Sequence, residues 1–302
     1  MQRLTDAEPG VRATLGLLAG AVLISFSAVF VRLASVPPTT SAFYRVALGG
    51  AVLAVWAFAV RRPRQASTGT PGRAAAVLLA AAALCFALDL AFWHRSIVLV
   101  GPGLATLLGN FQVFFLAVAG IVLYHERPGP VALLAIPLAL IGIGMIVGLD
   151  GLARSPDVRQ GVAFGLLTAL TYAVYLLCLR RLGELGAANS GAAHLATVSL
   201  ASAAMLLPVV YLSGESLAIP TLRDGVLLVS YALTSQVVGW LIIVRCLPGV
   251  PASRAGVILL LQPLLSFVWD VLLLDRPVTW FEAAGAALAL LAIWLGTSAR
   301  RD

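Results

Sequence analysis

The side chains of this chain that could do chemistry are few, and they lie inside long apolar stretches. Asp89 and Trp93 stand four apart, one helical turn, with His94 adjacent. A carboxylate there can attract an ammonium or take a proton beside an aromatic wall, or form a structural pair with Arg95 or His94. Asn110 and Gln112 offer neutral amides, which hydrogen-bond a zwitterion without burying a charge. Two residues apart, they do not share a helix face, so one can face a pathway while the other bonds between helices. Tyr172 and Tyr175 are i,i+3; such a pair stacks on an apolar substrate while its hydroxyls bond polar groups, or it packs in a core. Tyr231 shares a helical face with Ser235, and Gln236 with Trp240. Gln262 precedes Pro263, whose missing N–H frees a carbonyl one turn earlier. Ser266, Trp269 and Asp270 follow at helical spacing, Asp270 near enough to the outer end to be wetted. Arg45, about two turns into its apolar stretch, can snorkel or pair with an acid and reads as a structural or gating residue.

Several chemistries have no residues to run on. The sequence contains no HExxH, GxSxG or P-loop pattern. His94, His125 and His194 are far apart, and Cys85, Cys178 and Cys246 show neither CxxC nor metal-ligand spacing. No catalytic residue, metal or cofactor is therefore expected. An intramembrane enzyme would need a nucleophile–base pair that these residues do not assemble. A receptor or scaffold would bind without flux, and a cationic-drug exporter would need a deeply buried acid, for which Asp89 is the one good candidate.

The elements that hold these residues follow from composition. Hydrophobic residues make up 61% of the 302 positions and charged residues 11%, against about 25% charged in a soluble domain. Lipid must solvate most of this chain. A span needs about 20 apolar residues, and ten such runs occur: 13–33, 39–60, 74–94, 102–124, 130–149, 160–180, 191–212, 225–247, 252–274 and 278–298. Backbone groups in lipid must bond within their own segment, so each run is expected to be helical. The first run follows Arg3, Asp6, Glu8 and Arg12 and reads as a retained helix rather than a cleaved signal. All 20 basic residues are arginines, dispersed between the runs, which fits membrane topology and not a nucleic-acid partner. With the N-terminus in the cytoplasm, 13 arginines fall inside, 6 fall outside and Arg45 lies within a run. The positive-inside rule then puts both termini in the cytoplasm, with loop 61–73 supplying much of the bias.

The two halves resemble each other. A shift of 145 lays Gly16, Gly20, Ala28 and Val29 on Gly161, Gly165, Ala173 and Val174; a shift of 149 lays Pro102 on Pro251, and Glu126-Arg127-Pro128 on Asp275-Arg276-Pro277. The glycine pairs are small-xxx-small patterns that allow close helix packing. Residues 1–150 and 151–302 are thus expected to form two repeats of five spans each. Five is odd, so the second repeat enters the membrane from the opposite side. Inverted repeats of this kind occur in secondary transporters, with the substrate site near the midplane between the halves. The fold expected is all-α and polytopic, with ten transmembrane helices.

The stretch Ser41-Ala-Phe-Tyr-Arg45, the Pro102-to-Pro128 block and the Pro251-to-Pro277 block with Gln262-Pro263 resemble the drug/metabolite transporter superfamily, in its branch of two tandem EamA-type repeats. The resemblance covers nearly the whole chain. It implies ten helices, a central cavity lined by helices 1, 3, 4, 6, 8 and 9, and alternating access. Relatives of this type include exporters of amino acids, notably aromatic ones, and of other metabolites, so the resemblance implies export of small metabolites, amino acids first, in a bacterial inner membrane. One departure is evident: the family usually carries proline in the fourth span as well as the ninth, and here Phe114 stands opposite Pro263. The residues expected to contact substrate are Asp89, Trp93, Asn110, Gln112, Tyr172, Tyr175, Tyr231, Gln236, Trp240 and Gln262. The expected partners are a small metabolite and the lipid bilayer, and the sequence does not set the oligomeric state.

Overall fold

A computed structural model describes residues 9–59, 72–124, 155–184, 191–250, 261–275 and 277–298, with single positions between 131 and 145 and between 255 and 259. The described residues are helical, joined by short turns, with no strand among them. Helices α1 (Pro9–Ser25) and α2 (Ser27–Leu33) form the first span, interrupted at Phe26; α3 (Pro38–Ala59) and α4 (Arg73–Val100) follow. The fourth run is split into α5 (Pro102–Gly109) and α6 (Gln112–Tyr124). After these come α7 (Pro156–Glu184) and α8 (Gly191–Leu212). The eighth run is α9 (Leu222–Tyr231), a π-helical segment Ala232–Gly239 and α10 (Trp240–Cys246). Helices α11 (Leu261–Leu273) and α12 (Trp280–Ser298) complete the described chain.

Among the described residues, seven helices are long and apolar enough to cross a membrane, and shorter apolar helices occupy Leu261–Leu273 and Trp280–Ala292. The fifth run, 130–149, lies largely outside the described residues, as do loop 61–71, the Glu126-Arg127-Pro128 triplet, Pro251, Arg276 and the terminal arginines Arg3, Arg300 and Arg301. Two helices extend beyond their apolar runs: α4 has 28 residues and α7 has 29. At 1.5 Å per residue each exceeds 40 Å, more than a hydrocarbon core of about 30 Å. Their ends therefore reach the headgroup region, which is why Arg95, Arg159, Arg180 and Arg181 sit on helices rather than in loops.

Local sequence explains the helix ends. Pro38, Pro102 and Pro156 each open a helix, where the missing N–H costs nothing. Thr279 and Glu282 form a capping box at α12: the Thr279 amide donates to Glu282 Oε2 at 2.8 Å, and the Glu282 amide donates to Thr279 Oγ1 at 3.2 Å. Gly101 separates α4 from α5 with φ 84° and ψ 162°, a region open in practice to glycine alone. A Cβ added at Gly101 would meet nothing within 4 Å, so the whole cost of Gly101→Ala is backbone strain. The variant is expected to lose about 1–3 kcal/mol in detergent unfolding, while Gly72→Ala, with φ −54° and equally open surroundings, should match the parent.

The most extensive packing pairs a helix before residue 150 with one after it: α4 with α7, α3 with α8, α5 with α7, and α1 with the π-helical segment and α10. Glycines set the closest approaches. A Cβ on Gly16 would overlap Cys246 Sγ, and one on Gly20 would stand 2.7 Å from Ile243 Cγ1. Their counterparts behave alike: Cβ atoms on Gly161 and Gly165 would stand 2.5 Å from Val100 Cγ1 and 2.6 Å from Leu108 Cβ. The outer faces remain apolar, with Val55, Phe58, Val77, Val98 and Val122 exposed. Exposed apolar surface of that extent requires lipid around it.

Candidate functional site

The interruptions of the helices converge on one cavity. At Phe26 the first span breaks, and Ser25 and Ser27 on either side line the space. Phe26 itself stacks on Trp269, ring centroids 4.7 Å apart, and Trp269 Nε1 donates to Ser25 Oγ at 2.9 Å. The fourth span breaks at Asn110 and Phe111. Four bonds of the tighter i→i−3 type close this turn, from the amides of Asn110, Phe111, Val113 and Phe114 to the carbonyls of Leu107, Leu108, Asn110 and Phe111. Asn110 Nδ2 also donates to the Thr106 carbonyl at 2.7 Å. The first half thus bends at an asparagine, four residues before Phe114, without the proline that Pro263 supplies in the second half.

The cavity has a volume of about 70 Å³ and is lined from α1 and α2, from Arg45 of α3, from Phe86, Asp89, Leu90 and Trp93 of α4, and from Thr106, Gly109 and Asn110 around the break. Thr168 and Tyr172 of α7, Trp240 of α10, and Gln262 and Ser266 of α11 close it. These are the spans implied by the family resemblance, with Arg45 of the second span added.

The structure brings together six of the ten residues singled out by sequence: Asp89, Trp93, Asn110, Tyr172, Trp240 and Gln262 line the cavity. The other four lie behind the wall. Gln112 is buried, with Nε2 donating to Asn110 Oδ1 at 3.4 Å. Tyr175 packs between Phe86, at 4.5 Å, and Trp240, at 5.1 Å. Tyr231 and Gln236 both hold Arg45: Nη1 donates to the Tyr231 hydroxyl at 3.0 Å, and Nε donates to Gln236 Oε1 at 3.1 Å. The guanidinium also lies over the Tyr231 ring, 5.0 Å from its centroid. An α-helical period pairs Tyr231 with Ser235; the π-helical segment, with its i→i+5 spacing, puts Tyr231 and Gln236 on one side instead.

Asp270 is a correction. Nearness to a helix end suggested a wetted carboxylate, but it is buried and its Oδ2 accepts the Gly103 amide at 3.1 Å. That places a negative charge at the N-terminus of α5, where the helix dipole favours it. Sequence reading missed the hydroxyls Ser25, Ser27, Thr106 and Thr168 as cavity residues. Small hydroxyls in apolar runs are common enough that only the breaks at Phe26 and Asn110 single them out.

A profile of the EamA-like transporter family matches residues 11–148 and, a second time, residues 159–297. A comparison with curated protein sequences found no significant match. A solved structure described only as "Crystal structure of protein" superposes with a TM-score of 0.70 at 18% identity, over 94% of this chain and 95% of that one. At that identity the likeness is one of fold.

Proposed function

Because the chain belongs to the EamA-like transporter family, with that domain repeated twice, we propose that it exports small metabolites, most specifically amino acids, by alternating access. In this reading ten spans form two inverted five-helix repeats, residues 1–150 and 151–302. Both termini lie in the cytoplasm of a bacterium, and the chain sits in its inner membrane. The equivalent glycine contacts support the repeat: Gly16 and Gly20 of the first span meet the eighth, as Gly161 and Gly165 of the sixth meet the end of the third and the start of the fourth. The arginine asymmetry supports the orientation.

The observation that carries the substrate class is the lining of the cavity. Aromatic rings of Trp93, Tyr172 and Trp240 stand beside the amides of Asn110 and Gln262 and the hydroxyls of five Ser and Thr residues, Ser25, Ser27, Thr106, Thr168 and Ser266. Such a surface suits a small zwitterion with an apolar side chain. A cavity of 70 Å³ holds about five water molecules, which suits alanine-sized cargo before larger side chains, whereas pockets for drug-sized ligands run about 300–1,000 Å³. A cationic drug would also meet Arg45 in the same space as Asp89. The rival reading, a multidrug exporter, is tested by the same assay.

That assay is uptake of labelled alanine and labelled phenylalanine into liposomes carrying the purified protein, beside protein-free liposomes. Saturable flux suppressed by other amino acids is the expected result. No flux of either from folded protein would retire the substrate class, and competition by cationic drugs alone would favour the rival. Asp89→Asn is expected to keep part of the neutral amino-acid flux. Its amide carbonyl still accepts from an ammonium, while losing the charge weakens that bond by about 1–1.5 kcal/mol, or about tenfold in KM. Complete loss of flux in a normally inserted Asp89→Asn protein would count against this view.

A further inference from the structure

Arg45 is more than a strut. It is 4% exposed, well inside the third helix, and lines the cavity. A guanidinium offers five N–H donors in a planar fork that matches a carboxylate. Two of its nitrogens are engaged, Nε by Gln236 and Nη1 by Tyr231; its nearby rings are Tyr231 and Phe86, at 5.0 and 5.7 Å. Every one of these partners is neutral. Among the described residues no carboxylate lies within 4.0 Å of it.

A buried cation held by neutral groups is costly unless an anion reaches it. Tyr231 and Gln236 fix the guanidinium's direction without cancelling its charge. Asp89, 7% exposed, lines the same cavity, also without an ion pair among the described residues. Arg45 and Asp89 thus line one space, near enough to act on each other yet with no contact within 4.0 Å, and a molecule bearing both an ammonium and a carboxylate can bridge the two. Resting on the amino-acid reading above, we propose that Arg45 is the carboxylate subsite of the substrate and Asp89 the ammonium subsite. The cavity then selects free amino carboxylates over their amides and over the corresponding amines. An uncharged carboxamide leaves Arg45 buried without an anion; an amine leaves it with nothing.

The test uses the reconstituted full-length protein and labelled alanine or phenylalanine, with unlabelled competitors in matched sets: the free amino acid, its primary amide, and ethylamine or phenethylamine. The amide, which keeps a carbonyl acceptor but no charge, is expected to compete about tenfold less well than the amino acid, and the amine, which loses the partner altogether, at least about 30-fold less well. Arg45→Lys keeps the charge without the fork and is expected to retain flux with a raised KM. Arg45→Gln is expected to lose saturable flux. Amides competing within threefold of the free acid would overturn the proposal while leaving amino-acid transport intact. So would an Arg45→Gln protein with the parent's KM. Absence of all amino-acid flux in the parent protein would overturn the transport reading and this one together. If Arg45→Gln does not fold, the competitor series on the parent protein decides alone.

Discussion

Trp240→Ala is expected to destabilise the folded protein by about 3 kcal/mol, at the low end of the range for removing a buried tryptophan. The side chain is 1% exposed and meets three rings: Tyr175 at 5.1 Å, and Phe86 and Tyr172 at 5.9 Å, all roughly edge to face. Phe86 belongs to the fourth helix and the tyrosines to the seventh, so one indole joins helices from both sides of residue 150. In lipid the transfer part of the usual penalty shrinks, because an unpacked tryptophan is still among apolar neighbours. What remains is lost dispersion contact and the void, and that packing loss sets the value. Trp240→Phe keeps a ring in place and should lose less than half as much. Equilibrium unfolding in detergent micelles separates the two variants. Equal stability of Trp240→Ala and the parent would show that the ring cluster does not hold these helices together. Because Trp240 also lines the cavity, the alanine variant enlarges it, and competition by bulkier amino acids should strengthen relative to alanine.

How much of this was legible in the sequence depends on the range of the signal. Nine of the ten apolar runs fall on described helices, because lipid imposes helical bonding on any long apolar segment. Asp89 and Trp93 were matched to one face by their spacing, and both line the cavity; the rule held because α4 is regular from Arg73 to Val100. One of the amide pair faces the cavity, Asn110, and the other does not. Irregular backbone was not legible. No proline marks the break at Asn110, where the side chain itself bonds the Thr106 carbonyl. Nor does any residue announce the π-helical segment, which regroups Tyr231 with Gln236. The grip of these two on Arg45 spans 186 and 191 residues of sequence, a tertiary pairing that local periodicity cannot reveal. Arg45 was visible as an arginine in an apolar run, but its neutral hydrogen-bond partners were not.

Gly49→Ala is expected to cost about 1–3 kcal/mol and to disturb selectivity as well as stability. In an ordinary helix the exchange would help, since alanine is about 1 kcal/mol better than glycine. Here a Cβ would stand 2.6 Å from Gln236 Cγ and 2.7 Å from Gln236 Cβ. Those atoms are next to the backbone, so they cannot swing aside as a side-chain tip would, and the π-helical segment itself must shift. Overpacking of about 1–3 kcal/mol therefore outweighs the gain in propensity. Gln236 is bound on both ends, donating from Nε2 to Ser199 Oγ at 2.8 Å and accepting from Arg45 Nε at 3.1 Å. Moving it releases the guanidinium it orients. Gly50→Ala should be milder: its Cβ would meet Leu200 Cδ2 and Cγ and Ser199 Cβ at 3.0 Å, and the leucine can give way. Gly10→Ala, whose Cβ meets nothing within 4 Å, should match or exceed the parent. Melting temperatures in one detergent test the order Gly49→Ala below Gly50→Ala below Gly10→Ala. A Gly49→Ala protein as stable as Gly10→Ala, with the parent's preference for free amino acids over amides, would mean that the third helix does not fix Gln236, and that Arg45 is held by Tyr231 without it.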